Sequence, residues 1–163
     1  NMNINSTRRY GIELKTKNKI SNNLNLTNNF TFSKAKYTSG DQGTYATDFK
    51  GKDVPLVPQY SLDTNLEFQI SEFTKIIPSL KYQDDMRMES DDENFQETKI
   101  PGYILANLSI SSKFNNFFSS LTINNLFDSK YHNYAVSSSN TLGAYNAYPE
   151  PGRTFTLSLG SKF

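Results

Sequence analysis

Apolar and polar residues alternate along most of the chain. At its end, Phe155, Leu157, Leu159 and Phe163 fall on one side, and Thr154, Thr156, Ser158 and Lys162 on the other. Successive side chains of a strand point to opposite faces, so this pattern predicts a strand with one apolar face. Six earlier segments read the same way. About Thr7 to Lys17, Tyr10, Ile12 and Leu14 oppose Arg9, Gly11, Glu13 and Lys15. About Leu24 to Tyr37, Leu24, Leu26, Phe30 and Phe32 oppose Asn25, Thr27, Asn29, Thr31 and Ser33. About Gln59 to Ser71, Leu62, Leu66, Phe68 and Ile70 oppose Asp63, Asn65, Glu67 and Gln69. The fourth runs from about Ile76 to Met88 with Leu80, Tyr82 and Met86 in phase. The fifth, about Tyr103 to Lys113, sets Ile104, Ala106, Leu108 and Ile110 on one face. The sixth, about Phe117 to Phe127, does so with Phe117, Leu121 and Ile123. No stretch shows the 3.6-residue period of a helix.

The connections alternate too. Short turns at Asn18 to Asn23, Glu72 to Lys75 and Asn115-Asn116 are interleaved with long loops at Thr38 to Pro58, Glu89 to Pro101 and Asp128 to Gly152. Strands that run up and down through a bilayer, with short turns at one side and long loops at the other, give this rhythm. The segments have roughly the 9–11 residues that a tilted strand needs to cross. The prediction is an all-β, antiparallel, up-and-down transmembrane β-barrel. A soluble β-sandwich with a docked last strand remains the competing reading. Ending on Phe163 resembles outer-membrane barrels, whose last strand closes on an aromatic residue read by the barrel-assembly machinery.

Composition narrows the picture. The chain has 163 residues and a net charge of +1, so nothing draws it to nucleic acid. It contains no cysteine, which removes disulfides and thiolate metal sites. Mean hydropathy is low, and no apolar run approaches the roughly 18 residues of a spanning helix. Spanning strands need apolar residues only at alternate positions, so this does not argue against a membrane. With 10 Tyr, 12 Phe and no Trp, an aromatic girdle would have to be built from Tyr and Phe. The opening Asn1-Met2-Asn3-Ile4-Asn5 lacks the features of a signal peptide. Seven strands is an odd count, and a sheet with two open edges is unsatisfied in lipid. Residues 1–163 are therefore expected to be the C-terminal seven-strand segment of a larger barrel.

Several motifs then become specific. Asn125-Leu126-Phe127-Asp128-Ser129-Lys130-Tyr131 resembles the "NLFD-x-x-Y" signature of TonB-dependent outer-membrane receptors. About twenty residues later, Tyr148-Pro149-Glu150-Pro151-Gly152-Arg153-Thr154-Phe155 resembles their "P-x-P-G-R-x-F" lead into the last strand. Arg9-Tyr10-Gly11-Ile12-Glu13, Val54-Pro55-Leu56-Val57-Pro58 and Lys99-Ile100-Pro101-Gly102-Tyr103 resemble three further family patterns, all in order. Ser161 departs from the family, where an aromatic is frequent. The resemblance implies a barrel of about 22 strands around a plug domain. It also implies uptake of a scarce nutrient such as a ferric siderophore, haem or cobalamin across the outer membrane of a Gram-negative bacterium. The implied partners are outer-membrane lipid, the plug and upstream strands of the same protein, the assembly machinery, and TonB through a region outside this chain. A small complete outer-membrane barrel with a structural or adhesive role is the other membrane reading.

The resemblance assigns Asn125, Leu126, Phe127, Asp128, Tyr131, Pro149, Pro151, Gly152, Arg153, Phe155 and Phe163 structural roles. Asn125 poses a conflict, being in phase with Leu121 and Ile123; a bulge or an exit from the hydrocarbon would resolve it. Tyr134, Tyr145 and Tyr148 crowd the last loop and are candidates to stack on a ligand, though girdle or loop packing explains them as well. The lone His132 has no visible co-ligands. The acidic group Asp84, Asp85, Glu89, Asp91, Asp92, Glu93 and Glu97 lacks a calcium-loop pattern and is expected to be solvated. No nucleophile motif surrounds Ser137-Ser138-Ser139, so no cofactor and no enzymatic activity are expected.

Overall fold

A computed structural model describes residues 6–39, 49–138 and 140–162. Phe163 lies outside the described residues. Seven strands form one antiparallel sheet: β1 (Ser6–Ser21), β2 (Leu24–Ser39), β3 (Tyr60–Gln69), β4 (Thr74–Gln83), β5 (Tyr103–Phe114), β6 (Phe117–Asn124) and β9 (Thr154–Ser161). Each pairs with the next, in that order. A separate hairpin, β7 (His132–Ser137) and β8 (Tyr145–Pro149), sits within the last long connection. The seven predicted strands are thus present, in the predicted up-and-down order. The hairpin is new, and the loop that contains it is not structureless.

Register carries the alternation across the whole sheet. One continuous row runs Leu14, Phe30, Leu62, Tyr82 and Ile104; another runs Ile76, Ile110, Leu121 and Leu157. Directly opposed residues share a face, so the apolar halves of all seven strands make one surface. Phe155, Leu157 and Leu159 on it are about two-thirds exposed, as are Ile12 and Ile104. The other face is a field of short polar ladders: Ser109 with Thr122 at 3.1 Å, Asn107 with Ser79 at 3.3 Å, and Lys75 with Glu67 at 3.1 Å. Phe118 is an exception there. Its ring lies over Gly160, where a Cβ would come within 2.2 Å of it. Among the described residues no second sheet packs against either face, which removes the β-sandwich reading. Nor do β1 and β9 meet, so the sheet is an open arc of a larger barrel.

The predicted boundaries shift at both ends of the sheet. β1 continues to Ser21, and the turn shrinks to Asn22-Asn23. Between β3 and β4, the Ser71 hydroxyl accepts the Thr74 amide at 3.2 Å and tightens a four-residue turn. β4 stops at Gln83 rather than Met88, so Met86 is not a strand residue in phase with Leu80. Pro78 sits inside β4, where it cannot donate to a ladder. The β3–β4 register accordingly lapses between Asn65↔Ser79 and Phe68↔Ile76. β6 stops at Asn124 rather than Phe127.

The packed core is not beneath the sheet. It lies among the long loops, where Met86, Met88, Ile100 and Ala135 are buried together with Leu56 against them. An exposed apolar sheet face with a small core at one end suits a strand array solvated by hydrocarbon.

In the intact protein, Leu157→Arg or Leu108→Arg should cost about 2–4 kcal/mol near the bilayer midplane. Ser158→Arg, pointing to the polar face, should cost far less. Denaturant titration in lipid bilayers measures both, and equal losses would contradict the face assignment.

Candidate functional site

Two structures occupy the long-loop end of the sheet. The first joins the end of β6 to the start of β9. Asn125 leaves the strand in a left-handed conformation (φ 51°) and turns its side chain inward, where it is 4% exposed. Its Oδ1 accepts the Ser129 amide and its Nδ2 donates to the Ser129 carbonyl, both at 2.9 Å. The Asn107 carboxamide accepts the Asn125 amide at 2.9 Å, and Leu126 N–H continues the ladder to Ala106 O at 2.7 Å. Strand exit therefore resolves the phase conflict at Asn125: a residue with an amide side chain tolerates this backbone and fills its own turn.

Asp128, also left-handed (φ 55°), reaches across to the incoming strand. Its Oδ1 accepts the Arg153 amide at 2.7 Å. The Arg153 guanidinium donates back to the Leu126 carbonyl at 3.3 Å. Gly152 lies so close that a Cβ there would come within 2.6 Å of Asp128 Oδ1. Pro149 closes β8 opposite His132, and Pro151 follows it toward the latch. Two sequence motifs about twenty residues apart thus form one latch. Phe127 and Phe155 stay exposed.

The second structure is a knot of the three long loops. Residues Met86 to Glu89 run through its centre. Met86 bridges Ile100 on one side, Glu89 bridges Val136 of β7 on the other, and the Leu56 amide donates to the Arg87 carbonyl at 3.0 Å. Arg87 pairs with the buried Asp91 at 3.1 Å; Asp91 also accepts the Gln96 amide, and Gln96 Oε1 accepts the Gly143 amide at 2.8 Å. Asn94 clamps Asp53 from both backbone sides. Tyr37 donates to Asp92, and Tyr134 to Glu89. The acidic loop is therefore not simply solvated: Glu89, Asp91 and Asp92 tie loops together. Arg87 and Asp91 are spaced i,i+4 in the sequence, but nothing in the pattern shows that Asp91 is buried. Among the described residues no three His, Asp or Glu side chains gather as a metal site.

The candidate tyrosines are brought together on the β7–β8 hairpin. Tyr134 faces Tyr148 across it with ring centroids 5.3 Å apart, and Tyr145 stacks on His132 at 6.0 Å. Tyr134 is engaged by Glu89, whereas Tyr148 is 57% exposed and Tyr145 38%. Tyr131 packs on Tyr103 at 4.7 Å. Burial pushes its phenol above the ordinary range, and the Glu150 carboxylate adds to that.

Residues 1–126 match the family described as TonB dependent receptor-like, beta-barrel. The chain belongs to that family. Solved TonB-dependent receptors carry the same fold. The siderophore receptor PiuA from Acinetobacter baumannii matches with a TM-score of 0.73 and 20% identity over 94% of this chain. The ferric-catecholate import receptor Fiu from E. coli K12, in its closed form, matches at 0.74 and 21% over 96%. The unliganded ferric citrate transporter FecA matches at 0.75 and 16% over 96%. The chain spans 21%, 21% and 24% of the lengths of those three proteins. No curated protein matches the chain. The family match ends at Leu126, one strand junction short of the latch it helps to build.

Asp128→Ala removes a charge-assisted hydrogen bond and should cost the barrel about 1.5–3 kcal/mol. Gly152→Ala should be costly alone but nearly harmless once Asp128 is already Ala, because the colliding oxygen is gone. Unfolding of the two single variants and the double variant in bilayers measures the coupling. Strict additivity would mean that the two motifs do not act as one latch.

Proposed function

We propose that this chain is the closing arc of an outer-membrane TonB-dependent receptor of a Gram-negative bacterium, and that the receptor imports a scarce nutrient rather than catalysing a reaction. The observation that carries this is the combination of an open antiparallel arc, apolar on one face and polar on the other, with long loops knotted together at one end only. On this reading the knot is extracellular and the polar face lines the lumen. The rest of the barrel and an N-terminal plug belong to the remainder of the protein, and TonB engages that remainder. Outer-membrane lipid covers the apolar face, and the C-terminal strand is what the assembly machinery receives.

A ferric siderophore or similar ferric chelate is the cargo we favour. The names of the three solved relatives specify a siderophore, a ferric catecholate and ferric citrate. Haem and cobalamin remain members of the proposed cargo class. Within the knot, Tyr145 and Tyr148 are the exposed tyrosines that a ligand would meet, while Tyr134, bound to Glu89, positions the hairpin that presents them.

The proposal is tested by deleting the gene and measuring growth on ferric chelates as sole iron source. Loss of growth on at least one chelate, restored by the full-length receptor and abolished again without TonB, is the expected result. Unchanged uptake of ferric chelates, haem and cobalamin would contradict it. With the ligand known, Tyr148→Ala should raise Kd by up to about tenfold, the value of one aromatic contact, as read by equilibrium binding to the purified receptor. Tyr134→Phe should act through loss of hairpin protection in hydrogen exchange.

A further inference from the structure

At the long-loop end of β1 and β2 the apolar face is topped by cations. Up β2 the outward residues are Phe30, Phe32, Lys34 and Lys36, and opposite them on β1 stand Leu14, Ile12, Tyr10 and Arg8. Register partners share a face, so Arg8, Lys34 and Lys36 lie on the apolar side of the sheet, immediately above the Phe32–Tyr60 ring pair, whose centroids are 5.3 Å apart. Aromatic rings of this kind mark the level where hydrocarbon gives way to headgroups.

Among the described residues, the charges there are only partly balanced. Arg8 faces Lys36 directly, and like charges in that position destabilise an antiparallel pair. Asp53 answers one of them, 2.7 Å from Lys36 Nζ. Arg8 and Lys34 form no ion pair among the described residues. On the polar face Lys75 meets Glu67 at 3.1 Å and Lys81 stands in register with Asp63, while Lys15 and Lys17 of β1 stand opposite Asn29 and Thr27 on the side read as facing water. What sets Arg8 and Lys34 apart is the apolar side of the sheet on which they stand.

We propose that Arg8 and Lys34 hold the phosphate of an anionic lipid headgroup at the outer rim of β1 and β2. The two residues are diagonal neighbours, about 7–8 Å apart at the backbone, within joint reach of one phosphate. The Arg8 fork engages two phosphate oxygens while the Lys34 ammonium supplies a movable point charge. Tyr10, below Arg8 and beside Lys34, flanks the start of the acyl chains. The inference rests on the lipid-facing reading of the apolar surface.

The test uses the purified full-length receptor in neutral detergent, titrated with phosphatidylglycerol, phosphatidylcholine or inorganic phosphate, with bound lipid counted by native mass spectrometry. Phosphatidylglycerol should bind in preference to phosphatidylcholine, and the double variant Arg8→Ser, Lys34→Gln should weaken it about 30-fold, at roughly tenfold per 1.4 kcal/mol and one such step or less per cation. The lumen-side pair Lys15→Gln, Lys17→Gln on the same strand should leave it unchanged. Equal binding by the double variant, equal loss with the lumen pair, or displacement of the lipid by millimolar inorganic phosphate would each overturn the site. A receptor that fails to insert into vesicles would instead bring down the membrane reading, whereas insertion without selective lipid binding would bring down this site alone.

Discussion

Hydrocarbon offers backbone amides and carbonyls no hydrogen bonds, and the rest of this molecule follows from that. Each strand must find its partners in neighbouring strands, so the chain runs up and down, and every strand from β2 to β6 is paired on both sides. With the backbone satisfied laterally, the side chains are free to divide. One face is left to lipid and the other to water, which is why the apolar residues are exposed and yet continuous from Tyr10 to Leu159. β1 and β9 each keep one edge unpaired in this arc, and those edges are what the rest of a barrel would satisfy.

Stability that a soluble domain would draw from a central core is moved to the end of the sheet. The Met86–Met88–Ile100–Ala135 cluster and the hydrogen bonds of Asn94, Asp91 and Gln96 hold three loops of different origin as one piece. The Asn125–Asp128–Arg153 latch does the same for the last two strands of the sheet. It sets where β6 ends and where β9 begins, so that Asn124 and Thr154 stand opposite each other and the apolar residues of β9 fall in register with Leu121 and Ile123. A slip of one residue would turn Phe155, Leu157 and Leu159 to the polar side.

Strand order, faces and the alternation of loop lengths were legible in the sequence because each is a period-two or spacing signal. What could not be read depends on contacts between distant segments. Asp128 and Gly152 were visible as motif residues, but not as partners, because spacing says nothing of the 2.7 Å bond that Asp128 accepts from Arg153. The β7–β8 hairpin leaves little trace in the sequence because its strands are short and joined through the Gly143 turn (φ 81°), so they lack the long alternation of the spanning strands. An acidic run reads as solvated; the burial of Asp91 comes from Arg87 and from loop residues whose approach leaves no trace in local pattern. Met86 continued the phase of β4 on paper, while the chain had already left the sheet at Gln83.

The central claim is that one face of the sheet meets lipid and the other water. The chain contains no cysteine, so single cysteines can be placed along β5 of the full-length receptor, at residues 106 to 111 in turn. A nitroxide or fluorophore at each site, with the receptor in a bilayer, is then quenched by a lipid-soluble or a water-soluble agent. The account predicts strict alternation: Ala106, Leu108 and Ile110 reached from lipid, and Asn107, Ser109 and Ser111 reached from water. Uniform accessibility along the strand, or alternation of the opposite phase, would contradict it.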